Sequence, residues 1–196
     1  SSSRMAEAWS EAELSPILEV MIPKRGLARM PVPLPASPKG KLATGLADFR
    51  GFPLAEVAMV AIVDADFTGA RAPKNQFGVE QSIQFKNVVA ERSAFDRAGK
   101  FLRIDGQFTA CSFRKIATRG CSRSTFKSAH FSARFIRCRF HDCNLHLASW
   151  PSSFQDCEFA GAGIHDLFVD VRDAALAADR VTFTVTMNKV LPGEFR

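Results

Sequence analysis

Four histidines and five cysteines are the residues of this chain best suited to chemistry. His146 and His165 stand nineteen residues apart, as do Cys138 and Cys157. With His141, Asp142 and Asp166 close by in sequence, the histidines offer the imidazole and carboxylate groups that suit zinc. Positions beside the large apolar residues of a repeat accept any polar side chain, so no metal is assigned. If Cys138 and Cys157 fell on adjacent strands of one sheet they would lie about 4.8 Å apart, a separation a disulfide could bridge. Small residues also stand there simply because a tight corner has no room, so a stacked pair of thiols is the expectation, with an oxidising compartment favouring the bridge. Cys111, Cys138, Cys143 and Cys157 all fall on such small positions, no C-x-x-C pair occurs, and the reading is packing rather than a disulfide frame. No Gly-rich phosphate loop and no paired-carboxylate motif accompanies them, so neither a catalytic residue nor a cofactor is expected.

What positions these side chains is a period of five. Between Cys121 and His165 bulky residues recur at Phe126, Phe131, Phe135, Phe140, Leu145, Trp150, Phe154, Phe159 and Ile164. Two residues before each stands a small one: Ser124, Ala129, Ala133, Cys138, Cys143, Ala148, Ser152, Cys157 and Ala162. A helix or a plain strand would scatter such positions around the element, whereas here one inward pair is kept per five residues. The signal begins at Ala47-Asp48-Phe49-Arg50-Gly51, continues at Leu54 and Met59, and returns at Ala65-Asp66-Phe67-Thr68-Gly69, Ala72 and Phe77. Through Phe85, Phe95, Phe108 and Phe113 it is irregular, which suggests the same architecture with bulges or loops. Eighteen Phe and no Tyr suit a wholly interior aromatic column.

Three segments follow: residues 1–41, a helix over 5–15 plus an arm with Pro23, Pro31, Pro33, Pro35 and Pro38; residues 42–166, the repeat; and residues 167–196, a cap with a helix over Val171 to Asp179 and a strand over Val181 to Met187. An arm so rich in proline cannot build its own core, and ordering it costs about 1 kcal/mol or more per residue. Its apolar residues are therefore expected to sit in the pockets of a partner chain. No run of about 18 apolar residues occurs, so no transmembrane helix is expected.

The units Ala47 to Gly51 and Ala65 to Gly69, with the tandem from Ser124 to Ile164, resemble the A(D/N)(L/F)xx motif of the pentapeptide-repeat family. The resemblance covers roughly residues 42 to 166. It implies an all-β fold, a right-handed quadrilateral β-helix of about 20 residues per coil and about six coils, with Phe49, Phe67, Phe126, Phe131, Phe140, Leu145, Phe154 and Phe159 in the core. Members of the family include plastid proteins, some in the thylakoid lumen, and cyanobacterial ones.

The net charge is +6, and it is unevenly laid out. From Arg103 to Arg139 stand nine Lys or Arg and one acid, Asp105; from Phe140 to Val171 stand five acids and no Lys or Arg. In a stacked rod, sequence order is axial order, so a basic band lies beside an acidic end, a polarity suited to docking. The expected function is a non-catalytic scaffold subunit contacting other protein subunits, with Trp9, Ile17, Leu18, Met21, Arg25, Arg29, Arg114, Lys115, Arg119, Arg123, Arg134 and Arg137 as partner-binding residues. No nucleic acid partner is expected. The start without Met and the long arm fit a processed subunit of an organellar complex, a photosynthetic one of the plastid, in the thylakoid lumen or stroma and peripheral at most to a membrane assembly. The alternatives are a bacterial effector or adaptor, cytoplasmic or secreted, and a DNA-mimic regulator of a type II topoisomerase. The mimic needs an acidic rod, and this chain is basic.

Overall fold

The fold is known from a computed structural model, which describes residues 9–22, 30–116, 130–143, 152–161, 178–179 and 182–184. In chain order the elements are α1 (Glu11–Met21), β1 (Val32–Pro33), β2 (Ala47–Asp48), β3 (Glu56–Ala58), β4 (Val60–Val63), β5 (Ala65–Asp66), β6 (Ile83–Glu91), β7 (Phe101–Thr109), β8 (Ser112–Arg114), β9 (His130–Ile136), β10 (Arg139–His141), β11 (Ser153–Gln155), β12 (Glu158–Ala160), β13 (Ala178–Asp179) and β14 (Thr182–Thr184). The strands form parallel sheets. One runs β1-β4-β6-β7-β9-β11-β13 with β3 also on β6, a second runs β14-β12-β10-β8, and β2 pairs β5.

Each strand pairs with one that follows it by a short or a long step. Ala47 pairs Ala65 and Ala94 pairs Ser112, whereas Asp66 pairs Ala94 and Phe113 pairs Phe140. The long steps hold added chain. Between Asp66 and Ala94 the addition includes a loop closed by an antiparallel bridge of Lys74 with Glu80. Phe77 rides on that loop and is 79% exposed, so its reading as a repeat core position is corrected: it belongs to an insertion, not to a level of the stack. Met59 is likewise a turn residue, with φ of 55°.

The interior is an aromatic ladder. Phe49, Phe67, Phe95, Phe113, Phe140 and Phe159 stack in sequence with centroids 4.9, 5.8, 5.3, 5.0 and 4.8 Å apart. These separations approach the strand spacing, so ring stacking and backbone pairing share one repeat. A second ladder, Phe85, Phe108, Phe135 and Phe154, meets the first edge to face. Phe131 is buried as well; Phe126 and Leu145 lie outside the described residues. Two residues before each rung of the first ladder stands a small residue: Ala47, Ala65, Ser93, Cys111, Cys138 and Cys157. The four cysteines Cys111, Cys138, Cys143 and Cys157 are buried and unbridged. Their thiols donate to main-chain carbonyls, Cys138 to Phe108 O at 3.2 Å and Cys143 to Phe113 O at 3.0 Å.

Turns between strands repeat in columns. Asp64, Arg92, Ala110, Arg137 and Asp156 have φ between 47° and 53°, as do Arg97, Lys115 and Asp142. Left-handed backbone at a non-glycine residue costs about 1 kcal/mol or more. Here each such turn places an N–H where the next level accepts it: Arg92 N–H bonds Thr109 O, Ala110 N–H bonds Ile136 O and Arg137 N–H bonds Gln155 O, all within 2.9 Å.

The N-terminal segment overturns one expectation. Ser10 caps α1, its side chain accepting from Glu13 N while Glu13 reaches back to the Ser10 N–H. The helix then lays Ile17 and Met21, each 1% exposed, onto the same core as the Phe ladder. Trp9 continues that ladder, its ring parallel to Phe49 at 6.0 Å and its indole N–H donating to Arg50 O at 2.9 Å. Leu18 and Leu34 pack against the core as well. Trp9, Ile17 and Met21 therefore find their pockets within their own chain rather than in a partner, while Leu18 is only half-buried there. The reason is that a stack of parallel levels has an open apolar end, and a tethered segment reaches it at high effective concentration. The described part of the proline arm is held likewise: Val32 N–H bonds Met59 O at 2.8 Å and Leu34 N–H bonds Ala61 O at 3.1 Å. Pro33 falls between these donors, where its missing N–H breaks no pairing.

At the other end, β13 and β14 pair in parallel with β11 and β12. Ala178 and Asp179 are thus strand and not the end of a helix, and the parallel pairing extends past residue 166. The remainder of the expected cap lies outside the described residues.

Candidate docking surface

In β8 and β10 the alternation of a pleated strand turns Phe113 and Phe140 inward and Ser112, Arg114, Arg139 and His141 outward. Register sets Ser112 beside Arg139 and Arg114 beside His141. The chain turns after β8 at Lys115, whose N–H donates to His141 O at 2.8 Å, and one level earlier at Arg97, whose N–H donates to Arg114 O at 2.7 Å. Before β10 it turns at Arg137. Arg97, Arg114, Lys115, Arg137 and Arg139 thus stand on adjacent levels of one sheet face and its two bordering turns, with Arg134 on the preceding strand, and all six are exposed.

These cations differ from four others of the described chain. Arg50 pairs with Asp48 at 3.0 Å, Lys86 with Glu56 at 2.7 Å, Arg92 with Asp64 at 2.7 Å and Arg103 with Asp105 at 3.1 Å. Arg92 holds the Asp64 carboxyl below its ordinary range, mainly through the hydrogen bond between them. Among the described residues none of Arg97, Arg114, Lys115, Arg134, Arg137 and Arg139 has an ion-pair partner. The nearby Asp96 spends one carboxylate oxygen on Ser112 Oγ, at 2.7 Å, and on Arg114 N–H, at 2.8 Å. Glu158 lies 3.5 Å from His141 Nε2. One level further on, Asp142 follows Lys115, Asp156 follows Arg137 and Glu158 follows Arg139, so the sign of the surface reverses along the stack.

Of the residues expected to meet a partner, Arg114, Lys115 and Arg137 share this surface and Arg134 stands on β9 of the neighbouring sheet; Arg25, Arg29, Arg119 and Arg123 lie outside the described residues. Arg97 and Arg139 were missing from that set. The signal that could have found Arg97 is its equivalence with Lys115, each two residues past a ladder Phe. Arg103, counted in the basic stretch, is neutralised by Asp105.

The thiol column is the other chemically distinctive feature. Burial pushes the Cys143 thiol up to about 12. Contact with Cys111, aided by burial, raises Cys138 to about 12, and Cys111 is held below its usual value by the same contact. Thiols kept protonated are poor nucleophiles. Among the described residues no group of three His, Cys, Asp or Glu is placed to hold a metal ion; His146, His165 and Asp166 lie outside them. No described helix is long and apolar enough to cross a membrane. Comparison of the chain with family models, with curated proteins and with solved structures finds no match.

Proposed function

We propose that this chain is a non-catalytic docking subunit of a larger protein assembly, built as a right-handed, four-sided β-helix similar to the pentapeptide-repeat family, and that the basic face around Arg114 and Lys115 meets an acidic protein surface. The finer fold is supported by the all-parallel pairing, by the two columns of left-handed turns and by the Phe ladder with its small-residue column. The interior is filled by stacked rings, which leaves the outer faces as the places where chemistry can be presented. One observation carries the docking role: six exposed cations cluster on neighbouring levels without ion-pair partners among the described residues, while Arg50, Lys86 and Arg92 nearer the N-terminus are each paired. Arg97 and Lys115, on adjacent levels of one turn column, repel, and an acidic partner turns that repulsion into attraction and faster encounter.

The test is co-purification from the native source with wild type and with a variant carrying Arg114→Glu, Lys115→Glu and Arg137→Glu. Wild type should bring down a defined partner at low salt, lose it as salt rises through several tenths molar, and the variant should bring down none while melting at the wild-type temperature. Retention of the partner by the variant would remove the basic face from the interaction.

A further inference from the structure

A second surface lies at the N-terminal end, built from different levels of the stack. Leu14, Leu18, Met21 and Ile22 of the α1 segment face Pro53, Ala55 and Pro73 across a cleft of about 540 Å³ with Glu56 at its edge. The helix buries Ile17 and Met21, yet the stripe Leu14, Leu18 and Ile22, at spacing i, i+4, i+8, runs beside that buried line, and Ile22 is 59% exposed. Pro73 also starts the loop that carries Phe77. Among the described phenylalanine side chains only Phe77 is exposed. The backbone of that loop is bonded in place: Asn75 Oδ1 accepts from Phe77 N–H at 2.9 Å and from Val79 N–H at 3.1 Å, Asn75 N–H bonds Val79 O at 2.8 Å, and Arg71 pairs with Glu80 at 3.3 Å. An exposed ring on a bonded turn, on a loop rooted in the wall of an apolar cleft, has the layout of a binding anchor.

We infer that this cleft, with Phe77 on the loop that leaves its wall at Pro73, takes an amphipathic helix of a partner protein that carries lysine or arginine along the edges of its apolar stripe. From Leu14 to Ile22 the groove runs about 12 Å, room for about two helical turns and side chains at i, i+4 and i+7. The charge follows from α1: Glu11 and Glu19 are exposed on the solvent side of the stripe, and the last turn has no basic residue to offset the negative end of the helix dipole. A second copy of this chain would set Glu11 and Glu19 against their own kind, and an anionic lipid surface would meet the same repulsion, so a basic helix is the occupant these charges favour.

The test uses the full chain and a fluorescein-labelled 15-residue helical peptide with leucines at i, i+4, i+7 and i+11 and flanking lysines. Controls are a scrambled peptide of equal composition and one with glutamates in place of the lysines. Anisotropy should show saturable binding at least tenfold tighter than either control. Ile22→Asp and Phe77→Ser, both at exposed positions, should each weaken it at least tenfold with unchanged melting temperature. The variant carrying Arg114→Glu, Lys115→Glu and Arg137→Glu should bind the peptide as wild type does, which separates this surface from the basic face. Equal binding of the scrambled peptide, or no effect of either substitution, overturns the inference. So do sedimentation with phosphatidylglycerol vesicles that Phe77→Ser abolishes, which assigns the surface to lipid, and a dimer in analytical ultracentrifugation that Phe77→Ser dissolves, which assigns it to a second copy.

Discussion

Truncating Phe140 to alanine removes a rung from the middle of the ladder. Its ring lies parallel to Phe113 at 5.0 Å and to Phe159 at 4.8 Å, and meets Phe135 edge-on at 5.1 Å. It is fully buried, and the backbone on both sides is clamped by pairing to β8 and β12, so the cavity cannot close by sliding a strand. Phe→Ala in such a core costs about 3 to 5 kcal/mol, and sites that cannot collapse fall at the upper end. At about 2 to 4 °C per kcal/mol for a chain of this size, the melting temperature should fall by about 6 to 20 °C. Levels depend on their neighbours, so the loss should also broaden the transition by uncoupling the levels before and after β10. Circular dichroism melts of Phe140→Ala beside Phe77→Ala give the comparison, because removal of the exposed ring should change stability by under about 0.5 kcal/mol. A Phe140→Ala chain that melts within two degrees of wild type would refute the ladder as the source of stability.

Ile17→Asp places an uncompensated charge in a buried site and should release α1. The wild-type monomer should protect α1 from protease and the variant should be cut within it; equal cutting of both would return the helix to a partner-dependent role. A thiol reagent should leave Cys111, Cys138, Cys143 and Cys157 unlabelled in the folded chain and label them after unfolding, and fast labelling of Cys143 would contradict its burial. Because the folded-state value of Cys143 is raised, its contribution to stability is complete below the unfolded thiol range near 8.5 and is lost as pH rises toward about 12. Alkaline melts of Cys143→Ala should therefore decline less steeply between pH 8.5 and 11 than those of wild type, and parallel slopes would show the thiol already titrating normally.

The apolar column was legible because bulky residues standing two places after small ones recur at a nearly fixed step, and the Phe rungs from Phe49 through Phe159 that the structure describes are buried. Phe77 was misread because periodicity cannot tell an inward rung from an apolar residue in an insertion; only the bridge of Lys74 with Glu80 separates them. The fate of α1 was hidden for another reason. Trp9, Ile17 and Met21 announce an apolar surface, but a sequence does not say which surface they meet. That depended on the open end of the ladder at Phe49, which exists only once the levels have stacked. The same holds for charge. Counting lysines and arginines located a basic stretch by itself, since order along this chain is order along the stack. Pairing decided which of those cations matter: Asp105 removes Arg103 from the surface, while register brings Arg97 beside Lys115 across a gap in sequence. Local period and composition are written residue by residue, whereas partners across levels depend on steps whose lengths vary with every inserted loop.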